Sequence, residues 1–225
     1  MTLRIEVFDD AEAAARRGAE VIAETARSCA AAGRRFAFAA SGGSTPWPMF
    51  EVLAGMQVPW AIVDLFQVDE RIAPDGDPDR SMTHLRDALL PAAAAASWHP
   101  MDVTAPDPEA AAAAYAAALP ARFDLLHLGI GPDGHTASLV PGDPVLDITD
   151  RDVAVTDAYQ GRRRITLTFP AIDRAVSAMW FELGADKRES LTKLAAGDRS
   201  IPASRVGTPD QLLVCDREAA PVSRA

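Results

Sequence analysis

Short apolar runs alternate with stretches of helical periodicity from one end of the chain to the other. Residues 4–8 (RIEVF) read as a strand. Asp9 or Asp10 can cap the following helix, where Ala15, Ala19, Ile22, Ala26 and Cys29 recur at helical spacing until Gly33. RFAFAA (35–40) and AIVDLFQVD (61–69) are the next strands, with a helix predicted at 46–53 between them and another at 83–90 beyond. The alanine-rich stretch 108–119 predicts a helix and FDLLHLGI (123–130) a buried strand. DVAVT, RRITLT, VSAMWFEL and QLLVCD complete the strands, and DKRESLTKLAA makes a helix beginning near Asp186 between the last two. Such a succession predicts an α/β fold: an open, mostly parallel sheet with helices on both faces, a Rossmann-like three-layer sandwich with room for a small lid or subdomain. No repeat, coiled coil or long linker interrupts the chain, so residues 1–225 read as one domain. Segments 73–79 and 141–152 read equally as rims of a site or as plain surface.

Composition narrows the partners. The net charge of -10 argues against nucleic acid and anionic membranes, while leaving room for a local basic pocket. No run approaches the ~18 apolar residues of a membrane span, and the acidic start MTLRIEVFDD does not resemble a signal peptide, so a cytoplasmic location is expected. Cys29 and Cys215 lie in apolar contexts and are expected as buried thiols without a disulfide framework. His127 falls inside a strand, His84 near a helix start and His99 in a loop; none pairs at structural-zinc spacing, and no metal is expected.

Three polar motifs follow apolar strands, where open α/β sheets place their ligands. In SGGSTP, Gly42 and Gly43 allow backbone N–H groups to converge on an anion ahead of a helix start, with Ser44 and Thr45 adding hydroxyls. A tight strand-to-helix turn with Ser or Thr capping is the plainer alternative. Asp69-Glu70-Arg71 can clamp a polar ligand or form surface ion pairs. In LGIGPDGHTASLVPGD, His135 stands on a glycine-rich loop as a candidate proton carrier, which Asp133 could orient; a turn histidine is the alternative. Arg164 and Lys187 add cations. Lysine is rare here, and at a helix start its charge opposes the helix dipole, a mismatch that a bound anion would relieve.

Taken together, SGGSTP, VDER, GIGPDGHTASLVPG, RRITLTFPAI and ELGADK resemble the 6-phosphogluconolactonase family, within the group that includes glucosamine-6-phosphate deaminases, over nearly the whole chain. The resemblance implies hydrolysis of 6-phospho-D-glucono-1,5-lactone to 6-phosphogluconate without metal or organic cofactor. It implies His135 as the catalytic residue with Asp69 in support. It places the phosphate near Gly42, Gly43, Ser44, Thr45, Arg71, Arg164 and Lys187, in a monomer or weak homodimer. Deaminases of this group carry a glutamate where this chain has Val140, as in GHIAFNEP against GHTASLVP, which favours lactonase over amine release. One departure stands out: Met82 replaces the asparagine usual after Ser81, and methionine cannot make an amide's hydrogen bonds, so altered or weaker substrate binding is expected. The mechanism implied is a single hydrolytic step in which His135 activates water. A deaminase, or a sugar-phosphate-binding protein without turnover, are the rival readings. A serine nucleophile at Ser44 or Ser138 lacks the strand-to-helix elbow such chemistry uses.

Overall fold

Seven strands build a parallel sheet in a computed structural model that describes residues 2–222. In chain order the strands are β1 (Thr2–Phe8), β2 (Phe36–Ala40), β3 (Val63–Gln67), β4 (Asp69–Arg71), β5 (Ser97–His99), β6 (Leu125–Leu128), β7 (Val153–Val155), β8 (Arg164–Leu167), β9 (Ser177–Glu182) and β10 (Asp210–Asp216). The large sheet runs β1-β10-β9-β6-β2-β3-β5, all pairs parallel. From β2 the chain moves outward through β3 to β5, then returns to place β6 on the other side of β2 and continues through β9 to β10. The reversal lies between β2 and β6, where such sheets open a crevice beyond the strand ends.

Both faces of this sheet are covered, which accounts for strands that are apolar throughout. Phe36, Phe38 and Ala40 of β2 and Met179 and Phe181 of β9 pack toward α1 (Ala11–Ala31), α2 (Trp47–Ala54) and α3 (Ser81–Leu89). Ala39, Ala178 and Trp180 face the opposite layer, with α4 (Pro108–Ala118), the five-residue α5 (Phe169–Asp173) and α6 (Arg188–Ala195). The side chain of Asp10 caps α1 by accepting from the Ala13 N–H at 2.8 Å. Cys29 and Cys215 are buried free thiols.

Two strand assignments differ from the sequence expectation. DVAVT and RRITLT do not join the parallel sheet; as β7 and β8 they form a second, antiparallel sheet with β4, in which β8 lies between β4 and β7. Residues 156–163 between them are too few for the crossover of about a dozen residues that parallel pairing requires. β5 was not foreseen, because SWH carries no apolar alternation; it is a short edge strand, and it places His99 in regular structure, stacked 4.2 Å from Phe66. The two sheets meet at Val68, whose N–H donates to Ala40 of β2 while its carbonyl accepts from Leu167 of β8. Asp69 is therefore the first residue past the junction.

Candidate active site

A cleft of about 240 Å³ opens at the β2/β6 reversal and gathers all three motifs. Ser41, Gly42, Gly43, Ser44 and Thr45 line it from the end of β2, Asp69 and Arg71 from β4, and His135 and Ala137 from the loop after β6. Arg164 reaches it from β8, and Glu182 and Lys187 from the end of β9 and the turn beyond. All nine residues expected at the site, distributed between positions 42 and 187, thus line one cavity.

The loop after β6 is shaped around its histidine. A Cβ on Gly131 would lie 2.1 Å from His135 Nδ1, so only glycine lets the ring pack there. Asp133 Oδ1 lies 2.6 Å from that nitrogen and also accepts from the His135 N–H at 3.1 Å. The Tyr159 hydroxyl donates to Asp133 Oδ2 at 3.0 Å, and its ring stands edge-on to the imidazole at 5.3 Å. Burial works against ionisation of Asp133, but the bonds from the ring, the amide and the hydroxyl outweigh it and hold the carboxyl below its usual range. An ionised Asp133 accepts the Nδ1 proton, which leaves Nε2 as the acceptor nitrogen of a cleft-lining ring. Ala137, next but one, adopts φ +48, a left-handed conformation that costs an alanine roughly 1 kcal/mol.

Asp69 is 5% exposed, and its Oδ2 accepts the Ser138 hydroxyl at 2.5 Å. Glu70, its neighbour, is buried away from the cleft. It accepts from Gln67 Nε2 and from the backbone N–H groups of Arg71, Ser81 and Met82, at 2.8–2.9 Å. Ser81 and Met82 open α3, which has no side-chain cap of its own, so Glu70 satisfies its first donors from across the chain. The acidic pair thus divides into one cleft residue and one structural bracket.

The cations have unlike partners. Arg71 donates to the Asp79 carbonyl and to Ser81 Oγ. Arg164 donates to Gln160 Oε1 and Ser138 Oγ at 3.3 and 3.4 Å and lies over the Tyr159 ring, while its buried Nε has no partner. Burial lowers the Arg164 pKa, with Asp69 opposing. Among the described residues neither guanidinium forms an ion pair within 4.0 Å. Lys187 departs from both a solvated surface lysine and one whose helix-start charge is relieved by a bound anion: it ends a 3₁₀ turn (Ala185–Lys187) ahead of α6, donates to the Ile130 carbonyl at 2.7 Å and lies 3.3 Å from Glu182 Oε2. A buried carboxylate already compensates it.

Gly43 has φ +111, open to glycine alone, and the Ser44 and Thr45 hydroxyls make no hydrogen bond among the described residues. The capping alternative for SGGSTP is therefore not realised: α2 begins after Pro46 without a side-chain cap. Met82 lies in the core beneath α3, 3% exposed and outside the cleft lining. The methionine there is a packing residue. Val140 is likewise buried outside the lining. Of segment 73–79, Pro78 and Asp79 line a pocket adjoining the cleft that shares Gly43, Ser44, Arg71 and Arg164 with it. Arg162 draws the segment to the β7–β8 connection by bridging Asp77 and Asp79 at 3.0 and 3.2 Å. Segment 141–152 does not reach the cleft. Among the described residues no cluster of three His, Cys, Asp or Glu is arranged to hold a metal ion.

Tyr159, Gln160 and Glu182 were not foreseen. Tyr159 and Gln160 belong to a connection whose sequence carries no periodic signal, and Glu182 lies inside an apolar strand that reads as core.

Comparison with known proteins agrees with the arrangement. The sequence profile described as glucosamine-6-phosphate isomerases/6-phosphogluconolactonase matches residues 9–215. The chain is 36% identical over 198 residues to the 6-phosphogluconolactonase of Synechocystis sp., covering 80% of this chain and 82% of that one. It is 32% identical over 228 residues to the 6-phosphogluconolactonase of Nostoc sp., covering 95% of each. The crystal structure of 6-phosphogluconolactonase from Thermotoga maritima superposes with a TM-score of 0.87 at 26% identity, over 96% of this chain and 100% of that one. With the three motifs converging on one cleft, these similarities show that the chain belongs to the 6-phosphogluconolactonase family, related to the glucosamine-6-phosphate deaminases.

Proposed function

We propose that the protein hydrolyses 6-phospho-D-glucono-1,5-lactone to 6-phospho-D-gluconate, with His135 as general base. The observation that carries this reading is the Asp133–His135 pair opening onto a cleft whose other walls supply Arg71, Arg164 and Lys187. Asp133 holds the Nδ1 proton, so Nε2 is available to take a proton from water as its oxygen attacks C1 of the lactone. Collapse of the tetrahedral oxyanion breaks the bond between C1 and the ring oxygen. The imidazolium returns its proton to that oxygen, which becomes the C5 hydroxyl. Asp69, fixed by Ser138, is placed to accept from a sugar hydroxyl.

The phosphate takes no part in bond making. Held by Gly42, Gly43, Ser44, Thr45, Arg71, Arg164 and Lys187, it turns remote binding energy into alignment of C1 against His135. Two guanidinium groups without ion-pair partners and two unengaged hydroxyls support this assignment. A purely binding role would leave the Asp133–His135 pair without a purpose, and amine release would lack an acid at Val140, which is buried and apolar.

The test is hydrolysis of freshly generated lactone, corrected for its spontaneous opening, with ammonia release from glucosamine 6-phosphate assayed in parallel. A rate no faster than spontaneous opening removes the catalytic reading, and ammonia release replaces it with the deaminase.

A further inference from the structure

Glu182 ends β9 with a side chain 1% exposed, yet it forms part of the cleft floor. Its Oε1 accepts from the Ile130 N–H. Oε2 has no well-aligned hydrogen bond and lies 3.3 Å from Lys187 Nζ, whose short bond is to the Ile130 carbonyl. The lysine side chain keeps 15% of its surface accessible at the cleft. The ammonium is thus held by one ion-pair contact and one carbonyl, with access left for an anion.

An anion that draws Lys187 toward itself leaves Glu182 buried with one backbone donor. A carboxylate in that position takes a proton. Resting on the phosphate-binding reading of Lys187 above, we infer that Glu182 is a positioning residue that presents the ammonium to an incoming phosphate and takes up a proton as that ammonium transfers, so that anion capture is coupled to proton uptake. The balance is local. The carboxylate and a solvent proton become a carboxylic acid, Lys187 stays protonated, and its ion pair passes from carboxylate to phosphate.

The groups facing Glu182 leave Lys187 as its controlling partner. Asp186 stands beside the lysine and disfavours ionisation of Glu182. From β10 come Cys215, its register partner, whose thiol burial pushes up to about 11, and Asp216, which accepts from the Gly184 N–H. His127 also lines the cleft, but it packs against Phe50 and Phe181 on the other face of the sheet, and burial keeps it neutral by pushing its pKa down to about 3. Burial raises the Glu182 carboxyl to about 7 even beside Lys187, so withdrawal of the ammonium raises it further. Well below that value the carboxyl already carries its proton and no uptake occurs. Between that value and the higher one reached once the ammonium has moved, uptake approaches one proton per anion.

Calorimetric titration of the intact protein with 6-phosphogluconate at about pH 8, repeated in buffers of different ionisation enthalpy, reads this proton directly. The expected result is uptake of more than about half a proton per ligand for the wild type and about none for Glu182→Gln, which keeps an acceptor for Ile130. Wild-type affinity is also expected to fall relative to that variant as pH rises above 7, approaching about tenfold per unit. Binding without proton uptake by the wild type overturns the role of Glu182 and leaves the phosphate site standing, whether or not the variant folds. Equal uptake by a folded Glu182→Gln protein overturns it as well. Failure of both 6-phosphogluconate and inorganic phosphate to bind removes the phosphate reading, and this inference with it.

Discussion

Ser138 Oγ donates to Asp69 Oδ2 at 2.5 Å from a side chain with no exposed surface, and Arg164 Nη1 lies 3.4 Å from the same hydroxyl. A guanidinium can only donate, so the serine proton is committed to the carboxylate. The chain of bonds therefore runs one way, from Arg164 through Ser138 to Asp69. Ser138, buried and engaged, is also removed from consideration as a nucleophile.

Ser138→Ala is expected to lower kcat/KM by about tenfold, equivalent to roughly 1.4 kcal/mol for a lost bond to a charged group. A cycle of Ser138→Ala and Asp69→Asn measures the coupling, expected at about 1–2 kcal/mol. Strict additivity of the two would show that the bond does not orient Asp69 for catalysis.

His135→Ala in a folded protein is expected to lower kcat by about 100-fold or more while 6-phosphogluconate binding changes little, the range for loss of a general base. Near-normal turnover by that variant would falsify the assignment of the base. Steady-state kinetics beside a binding titration separates the two effects.

Asp133 makes a stability prediction whose sign follows from its depressed pKa. A carboxyl held below its unfolded value contributes stability above that value and loses it as pH falls through the folded one. Asp133→Asn is therefore expected to melt below the wild type at neutral pH, with the gap closing as pH drops below about 4. Melting curves across that range decide it; a gap that stays constant down to the acid limit contradicts the pairing with His135 and Tyr159.

Arg164→Ala is expected to raise KM for the phosphorylated lactone by about 10- to 100-fold, the loss of about 1.5–3 kcal/mol from a charge-assisted contact. Unphosphorylated gluconolactone serves as the comparison. Its kcat/KM is expected to change far less, and equal losses on both substrates would mean that Arg164 supports the fold of the cleft and not the phosphate.

Glu70→Ala is expected to destabilise the protein by about 3 kcal/mol or more, because it strands several buried donors at once. For a chain of this size that is a fall in Tm of about 6–12 °C. Calorimetry or circular dichroism reads it, and an unchanged Tm would show that α3 does not depend on this bracket.

Much of the site was legible because its parts follow apolar strands and carry their own local logic. SGGSTP announces a glycine turn, and the histidine loop announces itself through glycines that bend the chain around one ring. What escaped depends on tertiary distance. Nothing local distinguishes Asp69 from Glu70, yet one faces the cleft and the other is buried among the amides of α3. Glu182 is hidden by its strand, since a single acid in VSAMWFEL reads as an interruption of the core. The antiparallel sheet escaped because apolar content marks a strand without marking its direction. Met82 shows the converse: a departure from the family pattern that stands beside the site in sequence lies in the core and outside the cleft lining.

Val68 gives its N–H to one sheet and its carbonyl to the other. The two sheets are thus joined through a single residue, immediately before Asp69 enters the cleft. Slow deuterium exchange at Val68 reports the integrity of the large sheet, whereas exchange at Leu167 reports the seam to the small one. If the seam opens more often than the large sheet frays, Asp69, Arg71 and Arg164 leave the histidine as a group, and the protein would stop working as a catalyst well before it unfolds.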